Sequence, residues 1–112
     1  MKRNDADIIR TELVDNLLRV FAHMRDEDKI YALLQDLCTV REITEMSQRL
    51  EVARLLSLKT SYIDIQEATG ASATTISRVS KCLNYGSGGY LDALSLSDAL
   101  AHEHEASAHE EE

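Results

Sequence analysis

The chain contains no proline among its 112 residues. Nothing therefore interrupts long helices, and an all-α protein is the expectation. It lacks any apolar run approaching the ~18 residues of a membrane span. Its opening, Met1-Lys2-Arg3-Asn4-Asp5-Ala6-Asp7, is too polar for a signal peptide. A cytoplasmic protein without a membrane partner is expected. Cysteine is scarce: Cys38 and Cys82 have no C-x-x-C spacing, so both read as reduced, packed residues, and neither a disulfide nor a zinc site is expected. Ahead of the C-terminal stretch the only histidine is His23. No nucleophile then has a recognisable base partner, and an enzyme is not expected.

Hydrophobic residues make up 44 % against 29 % charged, a balance for one globular domain with a single core. The formal net charge of −8 argues at first against nucleic acid, since phosphates call for Lys and Arg. Its distribution reverses the argument. From Asp98 onward the chain carries Asp98, Glu103, Glu105, Glu110, Glu111 and Glu112 with no Lys or Arg, whereas Ala71 to Tyr85 holds Arg78 and Lys81 and no acid. Most of the acidity belongs to the C-terminal end.

Apolar periodicity predicts a first helix over residues 5 to 24, with Ile9, Leu13, Leu17, Val20, Phe21 and Met24 on a stripe widened by Ile8, Val14 and Leu18. That stripe is broad for one small core, so a second copy of the chain is expected to cover part of it. N-cap candidates at residues 25 to 28 open a second helix, Lys29 to Leu37, with Ile30, Leu33, Leu34 and Leu37 inward. Thr39-Val40-Arg41-Glu42 has the capping-box pattern and starts a third helix to about Leu58, with Ile43, Met46, Leu50, Ala53 and Leu56 on its apolar face. Ser61 repeats the capping logic for a short helix ending at Ala68. Thr69-Gly70 stops it, and Ser72 caps a further helix beginning at Ala73. Residues 84 to 90, Asn-Tyr-Gly-Ser-Gly-Gly-Tyr, read as a loop, and Leu91, Leu94, Leu96 and Leu100 as a last helix. The expected organisation is a helical domain over 1–101 with a helix-turn-helix at about 61–83, followed by a disordered acidic tail over 102–112.

The helix opening in "TGASATTISRV" is the least greasy of the set. A helix bound for a DNA major groove needs small residues, hydroxyls and a few cations on its outer face, so that base edges can be approached. Ile76, Val79 and Leu83 fall at spacing that anchors such a helix to the core. Ala73, Thr74, Ser77, Arg78 and Lys81 are left for the outer side, and Gly70 lies in the turn. The bland alternative is a helical hairpin with a polar outer face.

Three segments, "LCTVREITEMSQRLEVARLL", "TGASATTISRVSKCLNYG" and the "GGY" that follows, resemble the Trp repressor superfamily, most closely its TrpR-like YerC/YecD branch, from about Tyr31 to Tyr90. The resemblance implies a six-helix fold in an intertwined homodimer, and a bacterial DNA-binding transcriptional regulator, a repressor, associated with the nucleoid when bound. It implies that the DNA-reading helix runs from Ala73 through Leu83. Ser72, Ala73, Thr74 and Thr75 then lie at the helix start that meets bases and phosphates, Ser77, Arg78 and Lys81 follow, and Gln66 is the outward polar candidate on the supporting helix. The expected partner is double-stranded DNA with a near-palindromic operator. It also implies a ligand pocket at Thr39, Arg49 and Arg78, where tryptophan-responsive members hold L-tryptophan as corepressor. The glycine after the second arginine in those members is Val79 here, the serine that helps hold the amino group is Cys82, and the third helix is one residue shorter. A branched side chain can fill the indole slot, so the expected cofactor is none. Arg49 has a second reading, as an ion-pair partner of Glu45 or Glu51.

The remaining signals are read as structural. His102-Glu103-His104 and His109 to Glu112 hold metal-ligand types, but in a solvated tail no metal site is expected. Gly86 to Gly89 is a linker, since no G-K-[S/T] follows. Tyr62, Tyr85 and Tyr90 are read as packing residues. The alternative to a DNA-binding protein is a helical interaction module using the same small-residue surface, or a regulator answering to an effector other than tryptophan.

Overall fold

The computed structural model describes the backbone of residues 10–110 and side chains as far as residue 104. Among the described residues there are six helices and no strand: α1 (Glu12–His23), α2 (Glu27–Leu37), α3 (Val40–Ser57), α4 (Tyr62–Thr69), α5 (Ala73–Tyr85) and α6 (Gly89–Glu110). None of these helices is long and apolar enough to cross a membrane. The chain divides into two compact units, Met1–Ile43 and Thr44–Glu112.

In the first unit, local capping sets every boundary. Thr11 accepts from the Val14 amide through its hydroxyl at 3.3 Å, so α1 starts at Glu12 and residues 10 and 11 are not helical. The earlier part of the expected helix, with Ile8 and Ile9, lies outside the described residues. Asp26 accepts from the amides of Asp28 (2.9 Å) and Lys29 (3.3 Å), which places the α2 start at Glu27, two residues ahead of expectation. The box at α3 closes in both directions. The Glu42 amide donates to Thr39 Oγ1 at 3.1 Å, and the Thr39 amide donates to Glu42 Oε1 at 2.9 Å. The backbone bond, then the side-chain bond, hold the Glu42 carboxyl below its ordinary range. Neither α1 nor α2 has a buried residue. Leu13 is 83 % exposed, and Leu17, Leu18, Val20, Tyr31 and Leu37 also face water.

The second unit holds the core of Val52, Ala53, Ile65, Ala71, Ile76, Val79 and Leu94, with Leu55, Leu56, Leu83 and Tyr90 packed against it. On α3 the burial falls on Val52 and Ala53, while Met46 and Leu50 stay exposed. Of the expected stripe, Ala53 is buried and Leu56 packs against the core as expected, whereas Met46 and Leu50 do not, and Val52 and Leu55 join the core from the other side of the helix. The end of α3 is a Schellman turn, in which Thr60 N–H reaches Leu55 O at 3.1 Å and Lys59 N–H reaches Leu56 O at 3.0 Å. Lys59 carries the left-handed φ of 63° there. Two further ends differ from expectation. With no breaker before Gly86, α5 takes in Asn84 and Tyr85, which were expected in a loop. The Ala-, Glu- and His-rich sequence after Leu100 likewise has no glycine or proline. Accordingly α6 continues through Glu110, where a disordered tail over 102–112 was expected.

Candidate nucleic-acid interface

The helix-turn-helix is built from α4, a three-residue turn and α5. Ser61 Oγ accepts from the Asp64 amide at 3.2 Å to start α4, and Gly70, at φ 75°, ends it with its N–H on Gln66 O at 2.8 Å. Thr69 ties the turn down. Its hydroxyl donates to Ile65 O at 2.7 Å and accepts from the Ala71 amide at 3.1 Å, while its carbonyl accepts from Gln48 Nε2 on α3 at 3.0 Å. Ala71 is buried in the core, so the turn is anchored from both sides.

α5 leaves this turn with Ile76 and Val79 buried and Leu83 half-buried, as the spacing predicted. Ala73, Thr74, Ser77, Arg78 and Lys81 are all exposed. Thr74, Arg78 and Lys81 fall at i, i+4 and i+7, so they stand in one row along the outer face, with Ser77 beside them. The two hydroxyls at the helix start are already engaged with each other. Ser72 Oγ accepts from the Thr75 amide at 3.1 Å and donates to Thr75 Oγ1 at 3.0 Å, and Thr75 is half-buried. These two residues therefore shape the cap, whereas Thr74 and Ser77 offer hydroxyls outward. Gln66 is exposed on α4.

Three of the residues read as packed are exposed, Cys82, Tyr85 and Tyr62, the last at 41 %. Cys82 is an exposed free thiol, since it falls on the flank of α5 away from Ile76 and Val79. Tyr85 is 86 % exposed. It continues the Thr74, Arg78, Lys81 row at i+11, and the sequence reading missed it by ending the helix too early; the absence of a breaker before Gly86 was the available signal.

The residues of the expected ligand pocket fall in different units. Thr39 belongs to the first unit, where its hydroxyl oxygen serves the α3 cap. Arg49 and Arg78 are exposed in the second. Val79 is a core residue at 2 % exposure, so its side chain does not fill a surface slot. Glu51, one of the two expected partners of Arg49, accepts from Arg54 through both carboxylate oxygens, at 2.6 and 2.9 Å. This bidentate hydrogen bond, opposed by slight burial and helped by the Arg54 charge, lowers the Glu51 pKa. Two cavities in this unit are lined by other residues: one of about 230 Å³ beside Glu51, Arg54 and Leu94, and one of about 460 Å³ beside Lys59, Ser80 and Asn84.

The Trp repressor protein family matches residues 12–98. The chain belongs to that family. Within it, the uncharacterised protein YerC of Bacillus subtilis is 44 % identical over 88 residues, covering 79 % of this chain and 85 % of YerC. A Trp repressor-like protein from Staphylococcus aureus superposes with a TM-score of 0.80 at 32 % identity, over 86 % of this chain and 96 % of the other. A TrpR-like protein from Eubacterium eligens gives 0.78 at 40 % identity, over 82 % and 95 %. The six-helix TrpR-like fold expected from the sequence is thereby established for this family member.

Proposed function

We propose that this protein is a sequence-specific DNA-binding transcriptional regulator, a repressor, that places α5 in the major groove. The observation that carries the reading is the outer row of α5. It combines exposed Thr74 and Ser77 with the cations Arg78 and Lys81, and no carboxylate occurs from Ala71 to Tyr85. Phosphates would meet Arg78 and Lys81, and base edges would meet the small residues at the helix start, Ala73 and Thr74, which admit close approach. Family membership supports the same reading. The test is selection of sheared genomic DNA on the purified protein, in parallel with Arg78→Ala. Recovery of a shared near-palindromic site by the parent and its loss in the variant is the expected result. No recovery above background at low salt would sink the reading.

The uncovered apolar sides of α1 and α2 support a homodimer. Covering a Leu or Val side chain contributes about 1.5–3 kcal/mol relative to leaving it in water, so several such residues exposed on two adjacent helices favour association. Leu13→Glu is expected to halve the mass seen by sedimentation equilibrium; an unchanged mass would place the dimer contact elsewhere. No nucleotide or enzyme chemistry is assigned, and a location in the cytoplasm, at the nucleoid when bound, follows from the same reading. L-tryptophan is not the effector in this proposal, because Cys82 stands where tryptophan-responsive members carry the serine that helps hold the amino group. Calorimetry showing specific micromolar binding of L-tryptophan would overturn that part alone.

A further inference from the structure

Tyr85 closes α5 and takes part in neither its cap nor the core. The helix ends on Gly86, whose N–H bonds Cys82 O at 2.8 Å and whose position leaves no room for a Cβ against the Cys82 carbonyl. The backbone at Tyr85 is thus held in a regular helix up to its last residue, and the side chain stands 86 % exposed. Tyr90, by contrast, packs against the core.

Position along the helix decides what this phenol can reach. Thr74 and Tyr85 are on the same row and eleven residues apart, which at about 1.5 Å per residue is roughly 16 Å of helix axis. The major groove is only about 8.5 Å deep. If the Thr74 end of α5 touches base edges, Tyr85 stands beyond them, level with the sugar-phosphate wall. A tyrosine hydroxyl is a neutral donor of the kind that bonds phosphate oxygens. Neither α5 nor its caps contain a carboxylate that would compete for that proton.

We infer that Tyr85 is a DNA-contacting residue whose hydroxyl donates to a backbone phosphate, setting how far α5 enters the groove. The inference rests on the reading of α5 as the groove-entering helix. It adds a contact that carries no charge, and this gives it a signature distinct from that of Arg78. Loss of a neutral donor removes a hydrogen bond to a charged acceptor but releases no counterion, so it weakens binding without changing the salt slope.

The experiment is fluorescence anisotropy of parent, Tyr85→Phe, Tyr85→Ala and Arg78→Ala on two labelled duplexes, a fragment recovered by the parent and one of mixed sequence, across a salt series. Thermal melting and sedimentation mass are read for each protein. Tyr85→Phe is expected to weaken both duplexes about tenfold for each α5 engaged, from the loss of one charge-assisted hydrogen bond. It should leave salt slope, melting temperature and mass unchanged, whereas Arg78→Ala lowers the slope. Parental affinity for Tyr85→Phe would overturn the inference, because the ring alone would then suffice. A change of mass in either tyrosine variant would overturn it by assigning Tyr85 to a contact between copies. If the parent itself binds neither duplex at low salt, the function reading falls and takes this contact with it; the parent titration and the variant comparison thus separate the two failures.

Discussion

The turn between α4 and α5 and the turn after α3 both require a left-handed residue, and the chain fills them differently. Gly70 has φ 75° and Lys59 has φ 63°. An L side chain in this region brings Cβ too close to its own carbonyl oxygen, at a cost of about 1–2 kcal/mol. A Cβ built on Gly70 meets nothing nearer than Gln48 Nε2 at 3.9 Å, an ordinary contact. Gly70→Ala therefore isolates the backbone term. Alanine also restricts the unfolded chain, which returns part of the loss, by about 0.4–1 kcal/mol. The net expectation is a destabilisation of about 1 kcal/mol, or about 4–8 °C in melting temperature for a domain of this size. Lys59→Gly should move in the opposite direction by about 0.5–1 kcal/mol, since glycine relieves the same strain at the cost of a floppier unfolded state. Thermal melting followed by circular dichroism at 222 nm reads both. If Gly70→Ala melts with the parent and Lys59→Gly melts lower, the left-handed geometry assigned to the two turns is wrong. Because Gly70 fixes where α5 leaves α4, Gly70→Ala should also weaken DNA binding beyond its effect on stability.

Other consequences are equally direct. Glu42 is held ionised by Thr39, so its folded pKa lies below its ordinary 4.5; the stabilisation is fully present above that value and is lost as pH falls through the depressed pKa. NMR titration of the Glu42 carboxyl should show an inflection below 4.5 that moves upward in Thr39→Ala, and an inflection at the ordinary value in the parent would deny the capping box. Ile76 is fully buried, so Ile76→Ala should cost about 2–5 kcal/mol in a denaturant titration; a loss under 1 kcal/mol would mean that α5 is not anchored there. Thr74→Ala should change the sequence preference of bound DNA more than its overall affinity, read by repeating the selection with the variant.

Capping was the most legible part of the fold, because its partners are three residues apart in the sequence. The Thr39 and Glu42 box, the Ser61 and Ser72 caps and the Gly70 stop can each be read without knowing what packs where. The left-handed Lys59 was invisible, since a lysine carries no signal for a conformation that glycine usually fills. Burial on α3 was ambiguous for a different reason. Ile43, Met46, Leu50 and Ala53 make one apolar side and Val52 and Leu55 another, with Leu56 between them, and only the tertiary fold chooses Val52 and Ala53 for this core. The C-terminal helix was lost to charge: acidity after Asp98 suggested a solvated tail, yet Ala, Leu and Glu are strong helix formers and no glycine or proline intervenes. At the candidate interface, spacing gave the buried side of α5 and hence its outer row. It did not reveal that Ser72 and Thr75 bond each other, nor that the row runs on to Tyr85.

The salt dependence of DNA binding tests the central claim most directly. On the fragment recovered from genomic DNA, the logarithm of the association constant is plotted against the logarithm of salt concentration for the parent and for Arg78→Ala. A dimer whose Arg78 and Lys81 side chains each neutralise a phosphate should give a slope of at least about −3.6, and removing both Arg78 side chains should reduce its magnitude by about 1.8. A parent slope near zero, or identical slopes for the two proteins, would contradict the placement of α5 against DNA.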